Sequence, residues 1–209
     1  MDNSKLLIGL YYLIALLISF TIHEFAHALA ALRAGDDTAK RKGRLSLNPI
    51  DHLDPIGAIF LVIMAFMGFG IAWGKPVPIN PGNFKNPKRD EIIVSLAGIF
   101  FNLCLATIAG LTFRYFNGIV PKSTAAFFLI LTNVNVWLAV FNLIPIPPLD
   151  GSHVLMNLMP YKSARAYADF MARYGLFVFF GFLLVLMNTN ILGSIIVFLV
   201  ELIIGAKLN

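Results

Sequence analysis

Apolar residues in this chain come in long unbroken runs, not in the alternation of a half-buried strand or the three-and-four spacing of a soluble amphipathic helix. The runs lie at about residues 6–32, 56–72, 91–113, 124–145, 170–187 and 190–206. Most approach the ~20 residues a helix needs to cross the hydrocarbon core of a bilayer. The pattern predicts an all-α, multi-pass membrane protein with about five spanning helices. Polar residues concentrate between the first two runs, from Arg33 to Asp54. There Gly35-Asp36-Asp37 is placed to close the first helix, and Arg44-Leu45-Ser46-Leu47-Asn48-Pro49 reads as a short extended piece and a turn. Between the second and third runs lies Trp73 to Gly82, where Pro76, Pro78 and Pro81 forbid helix and favour extended backbone. With no repeat, low-complexity tail or soluble insertion, residues 1–209 read as a single membrane domain, a core at about 6–155 followed by C-terminal helices at about 165–207.

The first run is interrupted where an interruption is costly. His23-Glu24-Phe25-Ala26-His27 puts ionisable groups inside it, and such groups each cost roughly 2.5 to 3.5 kcal/mol or more at mid-bilayer. Histidines four apart on a helix are about 40° apart around the axis and about 6 Å apart along it, so both can bind one metal ion. Glu24 then lies beside that ion, where its carboxylate can hold and deprotonate an activated water. The expected cofactor is Zn²⁺, given a third protein ligand.

Composition agrees with the membrane reading: the 209 residues are 58% hydrophobic and 13% charged, with a mean hydropathy of +0.80. The net charge of +5 suits basic cytoplasmic loops and gives no reason to invoke nucleic acid. The single Cys104 excludes an intramolecular disulfide. The first run is too long for a signal-peptide core and has no small-residue cleavage site, so it is expected to stay in place as a helix.

Few residues qualify as the third ligand. Asp2, Asp36, Asp37, Asp51, Asp54, Asp90 and Glu91 belong to tails or loop edges, Asp169 to the start of a helix and Glu201 to the last run, which leaves Asp150. It follows Asn142-Leu143-Ile144-Pro145-Ile146-Pro147-Pro148-Leu149 and precedes Gly151, where three prolines must unwind a helix and the glycine permits a sharp bend. A broken helix of this kind presents a carboxylate inside a membrane protein without exposing backbone to lipid.

The pairing of His-Glu-x-x-His in one membrane helix with Asn-x-x-Pro-x-Pro-x-x-Asp-Gly in a later one resembles the site-2 protease family of intramembrane zinc metalloproteases. The likeness continues through Leu47-Asn48-Pro49, Asp54-Pro55-Ile56-Gly57, Lys75-Pro76-Val77-Pro78 and Gly98-x-x-x-Asn102, over roughly residues 10–155. It implies that His23, His27 and Asp150 bind zinc, that Glu24 is the general base and acid, and that Asn142 and Asn102 contact substrate or shape the site. The substrate implied is a transmembrane protein or membrane peptide within the bilayer. Many relatives have proline after the glycine of the third helix, where this chain has Ile99, and many carry an inserted PDZ domain; the resemblance is to a minimal member.

Topology constrains the site independently. If 56–72, 91–113 and 124–145 all cross, Asp150 ends about a bilayer thickness, ~30 Å, from the histidines. If 56–72 enters and returns on the same side, both motifs approach one face. A returning segment also groups Arg33, Lys40, Arg41, Lys42, Arg44, Lys75, Lys85, Lys88, Arg89, Lys162, Arg165, Arg173 and Lys207, leaving only Lys5, Arg114 and Lys122 of the 16 basic residues on the other side. The positive-inside rule therefore predicts a re-entrant segment with short extended structure, a zinc site toward the cytoplasmic leaflet of the cell membrane and an N-terminus outside.

An extended edge at about Gly70 to Ile79 is suited to pair with unwound substrate by strand addition. Asn142 can equally cap the broken helix, and Asn102 can equally be a helix-packing polar group. His52 reads as an interfacial loop residue, His153 as a partner of the site or a polar interfacial group, and Glu201 as interfacial near a helix end. The alternative function is a proton- or metal-coupled transporter using the intramembrane histidines.

Overall fold

The structure is a computed structural model of the chain, in which residues 3–67 and 73–208 are described. Eight α-helices follow in order among them: α1 (Asn3–Ala34), α2 (Thr38–Arg41), α3 (Pro55–Met67), α4 (Pro87–Phe116), α5 (Lys122–Asn142), α6 (Asp150–Leu158), α7 (Tyr161–Asn188) and α8 (Ile191–Ile204). Helices α1, α4, α5 and α7 are long and apolar enough to cross a membrane. The expected last span, α8, has 14 residues, a rise of about 21 Å that falls short of the ~30 Å hydrocarbon core.

Helix ends follow local chemistry. Pro87 opens α4, where Asp90 reaches back to accept the Asn86 N–H at 2.8 Å. Helix α5 stops at Asn142, before the prolines that the sequence placed inside a run to 145. Gly205, in the left-handed region at φ +67°, closes α8.

Small side chains make up much of the interior. Ala15, Ala26, Ala28, Ala31, Ala106, Ala109, Ala125 and Ala139 are buried, whereas Leu6, Ile8, Phe100, Ile108 and many other large apolar side chains face outward. Close backbone approach between small residues with bulky apolar groups outside is how helices pack in lipid, where apolar burial supplies little drive for association. Helices α1, α4 and α5 form the central bundle, with α3 against α1 and α8 against α4 and α5.

The chain before and after α3 meets at one point. Leu53 and Gly74 form an antiparallel bridge, and the Lys75 N–H donates to the His52 carbonyl at 2.9 Å. A Cβ at Gly57 would strike the Trp73 carbonyl, and one at Gly74 the Phe20 ring. Residues 73–80 then run extended along α1, with Val77 reaching Glu24 and Asn80 reaching Asp36. Of the expected short extended structure, the described residues hold isolated bridges and no strand ladder. Residues 68–72, part of the segment expected to turn back, lie outside the described residues, as do residues 70–72 of the expected pairing edge.

Two buried polar side chains hold the extended segment. Arg44 donates to the carbonyls of Lys75 and Pro76 and to His52 Nδ1. His52, expected at the interface, has no exposed surface, and its Nε2–H donates to the Ser46 carbonyl at 2.8 Å. Asp36, also fully buried, accepts from the N–H groups of Thr38 and Asn80, the Thr38 hydroxyl and the Asn83 amide. Burial pushes the Asp36 carboxyl upward, but these donors outweigh it and hold it below its ordinary value.

Helix α8 departs from the expected topology. Gly205 lies against the Arg114 guanidinium and Ile203 against Gly110, while Ile196 and Val200 share a core with Ala106 and Val136. The helix therefore runs parallel to α4, with Ile203 packed on Gly110 near the end of both. Lys207 is carried to the Arg114 end of the bundle, away from the basic group in which the charge count placed it. Helix α7 touches α6, and Gly175 is its one buried residue.

The Asp36 hub predicts a contrast with its neighbour. Asp36→Ala removes four hydrogen bonds to one fully buried carboxylate and is expected to cost about 2–4 kcal/mol, read as a fall in melting temperature of the purified protein. Asp37, half-exposed and paired with Arg41, is worth less than about 1 kcal/mol. Because the folded Asp36 carboxyl is depressed, its contribution is present above about pH 4 and shrinks as the pH falls through the folded value. Equal melting of the two variants at neutral pH would contradict the hub.

Candidate metal centre

His23 and His27 sit one turn apart on the buried face of α1, each 6% exposed. Asp150 comes from a different part of the chain. Its loop, residues 143–149, carries the bundle from α5 to α6, and Asp150 is the first residue of α6. Gly151 is needed there because a Cβ would strike the carbonyls of Leu143 and Ile144. Helix α6 packs on α4, and His153 in α6 meets Glu91 in α4 at 3.2 Å. His153 thus ties α6 in place beside Asp150.

The three side chains converge on one point. His23 Nε2 and His27 Nε2 are 3.0 Å apart, and Asp150 Oδ2 lies 3.2 Å from the first and 3.3 Å from the second. Tetrahedral ligands at 2.0–2.1 Å from zinc stand about 3.3–3.4 Å apart, so this triangle has the dimensions of a zinc-binding face. Among the described residues it is the one group of three metal-ligating side chains close enough to share an ion.

Hydrogen bonding on the far side of each ring decides what these atoms can do. His27 Nδ1 lies 2.7 Å from the Val94 carbonyl, which can only accept, so Nδ1 carries the proton and Nε2 of the neutral ring is a lone pair. His23 Nδ1 lies 2.7 Å from Asn102 Oδ1, with the same result. Asp150 Oδ2 is buried and receives no hydrogen bond. Two nitrogen lone pairs and a carboxylate oxygen repel one another at about 3 Å unless a cation lies between them. The donor set fits zinc, with each imidazole oriented through its outer nitrogen.

Gly98 of α4 makes the approach possible. A Cβ there would lie 2.5 Å from His23 Cε1 and 2.6 Å from His27 Nε2. Glu24 is 8% exposed, and its Oε2 accepts the Val77 N–H at 3.0 Å. In the Pro76-Val77-Pro78 stretch Val77 alone has an N–H to give.

The two asparagines are placed differently from one another. Asn102 has no exposed surface, and its amide is spent on His23, the Ser19 carbonyl and Asn135. Its buried position on the His23 ring is the arrangement of a group that shapes the site. Asn142 is half-buried, and its amide donates back to the carbonyl of Leu138, four residues earlier in α5, at 3.0 Å. Glu201 accepts the Leu208 N–H at 2.8 Å beyond the end of α8, consistent with its expected helix-end position. Sequence reading missed Ser19 and Asn135, both fully buried. The available signal was polar residues within apolar runs, but Ser and Asn lack the cost of a charge and drew no attention.

Comparison with known proteins points the same way. The family model for peptidase family M50 matches residues 116–186. A Bacillus subtilis protein named "Putative zinc metalloprotease YwhC" is 42% identical over 176 residues, covering 81% of this chain and 78% of that one. Two mycobacterial proteins named "Putative zinc metalloprotease Rip2" are more distant: the one from Mycolicibacterium smegmatis is 36% identical over 157 residues and the one from Mycobacterium tuberculosis 31% over 154. The chain spans 58% of the length of each Rip2 protein. No solved structure matches. The likeness to the Bacillus protein runs along most of both chains, and the family model spans the loop that carries Asp150: the chain belongs to peptidase family M50, the site-2 protease family.

Proposed function

We propose that this protein is an intramembrane zinc metalloprotease that hydrolyses a peptide bond within or near a transmembrane segment of a membrane-protein substrate. The observation that carries the reading is the triangle of His23 Nε2, His27 Nε2 and Asp150 Oδ2 with edges of 3.0–3.3 Å, set between helices long enough to span a bilayer. His23, His27 and Asp150 hold the metal. A zinc ion bound there acidifies water and polarises a carbonyl. Glu24 takes the proton of the attacking water and delivers it to the leaving amine nitrogen.

The extended segment beside α1 supports a substrate site. A peptide bond in a helix is shielded by its own hydrogen bonds and must be unwound before attack. The backbone of residues 73–80 lies extended next to Glu24, where an unwound substrate can add as a strand. Asn142, at the mouth of the Pro-rich loop, is the candidate side chain for the same strand.

The bridge between Leu53 and Gly74 supports a re-entrant segment that leaves and rejoins the membrane on one side. With it, most basic loop residues stay on the side of the zinc site, even after Lys207 moves to the other. We therefore orient the site toward the cytoplasmic leaflet of the cell membrane.

Purified Glu24→Gln protein should retain zinc and lose about 10²–10⁴-fold of its cleavage of a membrane-embedded substrate, while His23→Ala should lose both. Full cleavage by Glu24→Gln would overturn the assignment, and chelator-sensitive ion or proton flux without cleavage would favour a transporter. Gly98→Val alters no ligand, yet its side chain collides with both imidazoles. Zinc content, measured by mass spectrometry, should fall with it, and unchanged zinc would contradict the packing described at the site.

A further inference from the structure

His23 can donate a lone pair to a metal only if its proton stays on Nδ1, and that depends on which end of the Asn102 amide faces it. The oxygen end accepts the Nδ1 proton. The NH₂ end would instead force the proton to Nε2 and remove the lone pair from the site. An amide is nearly the same shape either way round, so its orientation must be set by its other neighbours.

Those neighbours form a closed chain across α1, α4 and α5. Asn102 Nδ2 donates to the Ser19 carbonyl at 3.2 Å and to Asn135 Oδ1 at 2.8 Å. Asn135 Nδ2 donates to the Leu131 carbonyl at 2.8 Å and to Ser19 Oγ at 2.7 Å. Ser19 Oγ in turn donates to the Ala15 carbonyl at 2.6 Å. Backbone carbonyls can only accept. Leu131 therefore fixes the NH₂ end of Asn135, which leaves its oxygen for Asn102. Ala15 takes the Ser19 hydroxyl proton, which leaves that oxygen to accept from Asn135. Ser19, Asn102 and Asn135 have no exposed surface, so water does not compete for these bonds.

We infer that Ser19 and Asn135 are positioning residues for the metal centre: together they lock the Asn102 amide with its oxygen on His23, and so hold His23 in the tautomer that binds the ion. The polarity runs one way, from the carbonyls of Ala15, Ser19 and Leu131 through the two amides to the His23 ring. Reversing Asn102 would set its NH₂ against Nδ1 and its oxygen against the Ser19 carbonyl and Asn135 Oδ1, which is two acceptors facing an acceptor. The lock thus makes the wrong tautomer expensive without touching the metal. His27 needs no such device, because its Nδ1 faces the Val94 carbonyl directly.

This inference rests on the zinc site proposed above, and one experiment separates the two. Purified full-length wild type, Ser19→Ala, Asn135→Leu and His23→Ala are titrated with zinc against a competing fluorescent chelator at fixed pH, and each metal-free protein is melted in parallel. Outer residues that orient a metal ligand typically change affinity by about 10- to 100-fold. Asn135→Leu is expected to fall in that range and Ser19→Ala toward its lower end, with weaker visible ligand-field bands in the cobalt-substituted proteins. If wild type takes up no zinc that His23→Ala lacks, the zinc reading itself fails. If wild type binds and both variants bind within about threefold of it, only the lock fails. Loss of metal-free stability with affinity retained likewise overturns the lock and assigns the chain to packing alone. Should Asn135→Leu not fold, Ser19→Ala, which removes one hydroxyl, is judged by the same criteria.

Discussion

Two imidazole lone pairs and a carboxylate oxygen held about 3 Å apart in a buried pocket constrain everything else in this molecule. Without a cation such a group is repulsive, and at this depth the cost is not relieved by solvent. Each ligand is therefore held from behind. Val94 and Asn102 fix the two rings, Gly98 lets α4 approach them closely, and the Gly151 bend sets Asp150 at the start of α6. The small-residue packing of α1, α4 and α5 makes these approaches possible, because larger side chains at the crossings would hold the helices apart.

A second set of contacts links the metal site to the polar loops. Asp36 and Arg44 are both buried, and each reaches the backbone of one extended segment, Asp36 at the Asn80 N–H and Arg44 at the Lys75 and Pro76 carbonyls. That segment gives the Val77 N–H to Glu24. The carboxylate expected to move the proton is thus held by the same stretch of chain expected to hold substrate, and Arg44 is its anchor on the opposite side. In such an arrangement, a change in the extended segment is felt at Glu24 through a single hydrogen bond.

Much of this was legible in the sequence, and for physical reasons. Long apolar runs can only be satisfied by spanning or deeply buried helices, and ionisable groups at His23, Glu24 and His27 are too costly there without a use. Three prolines and a glycine around Asp150 read as a break, and the structure ends α5 and begins α6 there. The meeting of Leu53 with Gly74 agrees with the parity argument that drew both motifs to one face. What the sequence hid depends on three-dimensional partners. His52 looked like an interfacial residue but is buried on Arg44, since an arginine eight positions away gives no local signal. Asn102 read equally as a substrate contact or a helix-packing polar group, and its partners Ser19 and Asn135 come from two other helices. The direction of α8 shows in contacts such as Ile203 on Gly110, which hydropathy does not record.

The most direct test of the metal centre is X-ray absorption at the zinc edge of the purified protein. The geometry predicts one bound zinc per chain with two imidazole nitrogens and carboxylate oxygen at about 2.0–2.2 Å in its inner shell. A shell containing sulfur, a single imidazole, or no stoichiometric zinc in a folded protein would contradict the convergence of His23, His27 and Asp150 on a shared ion.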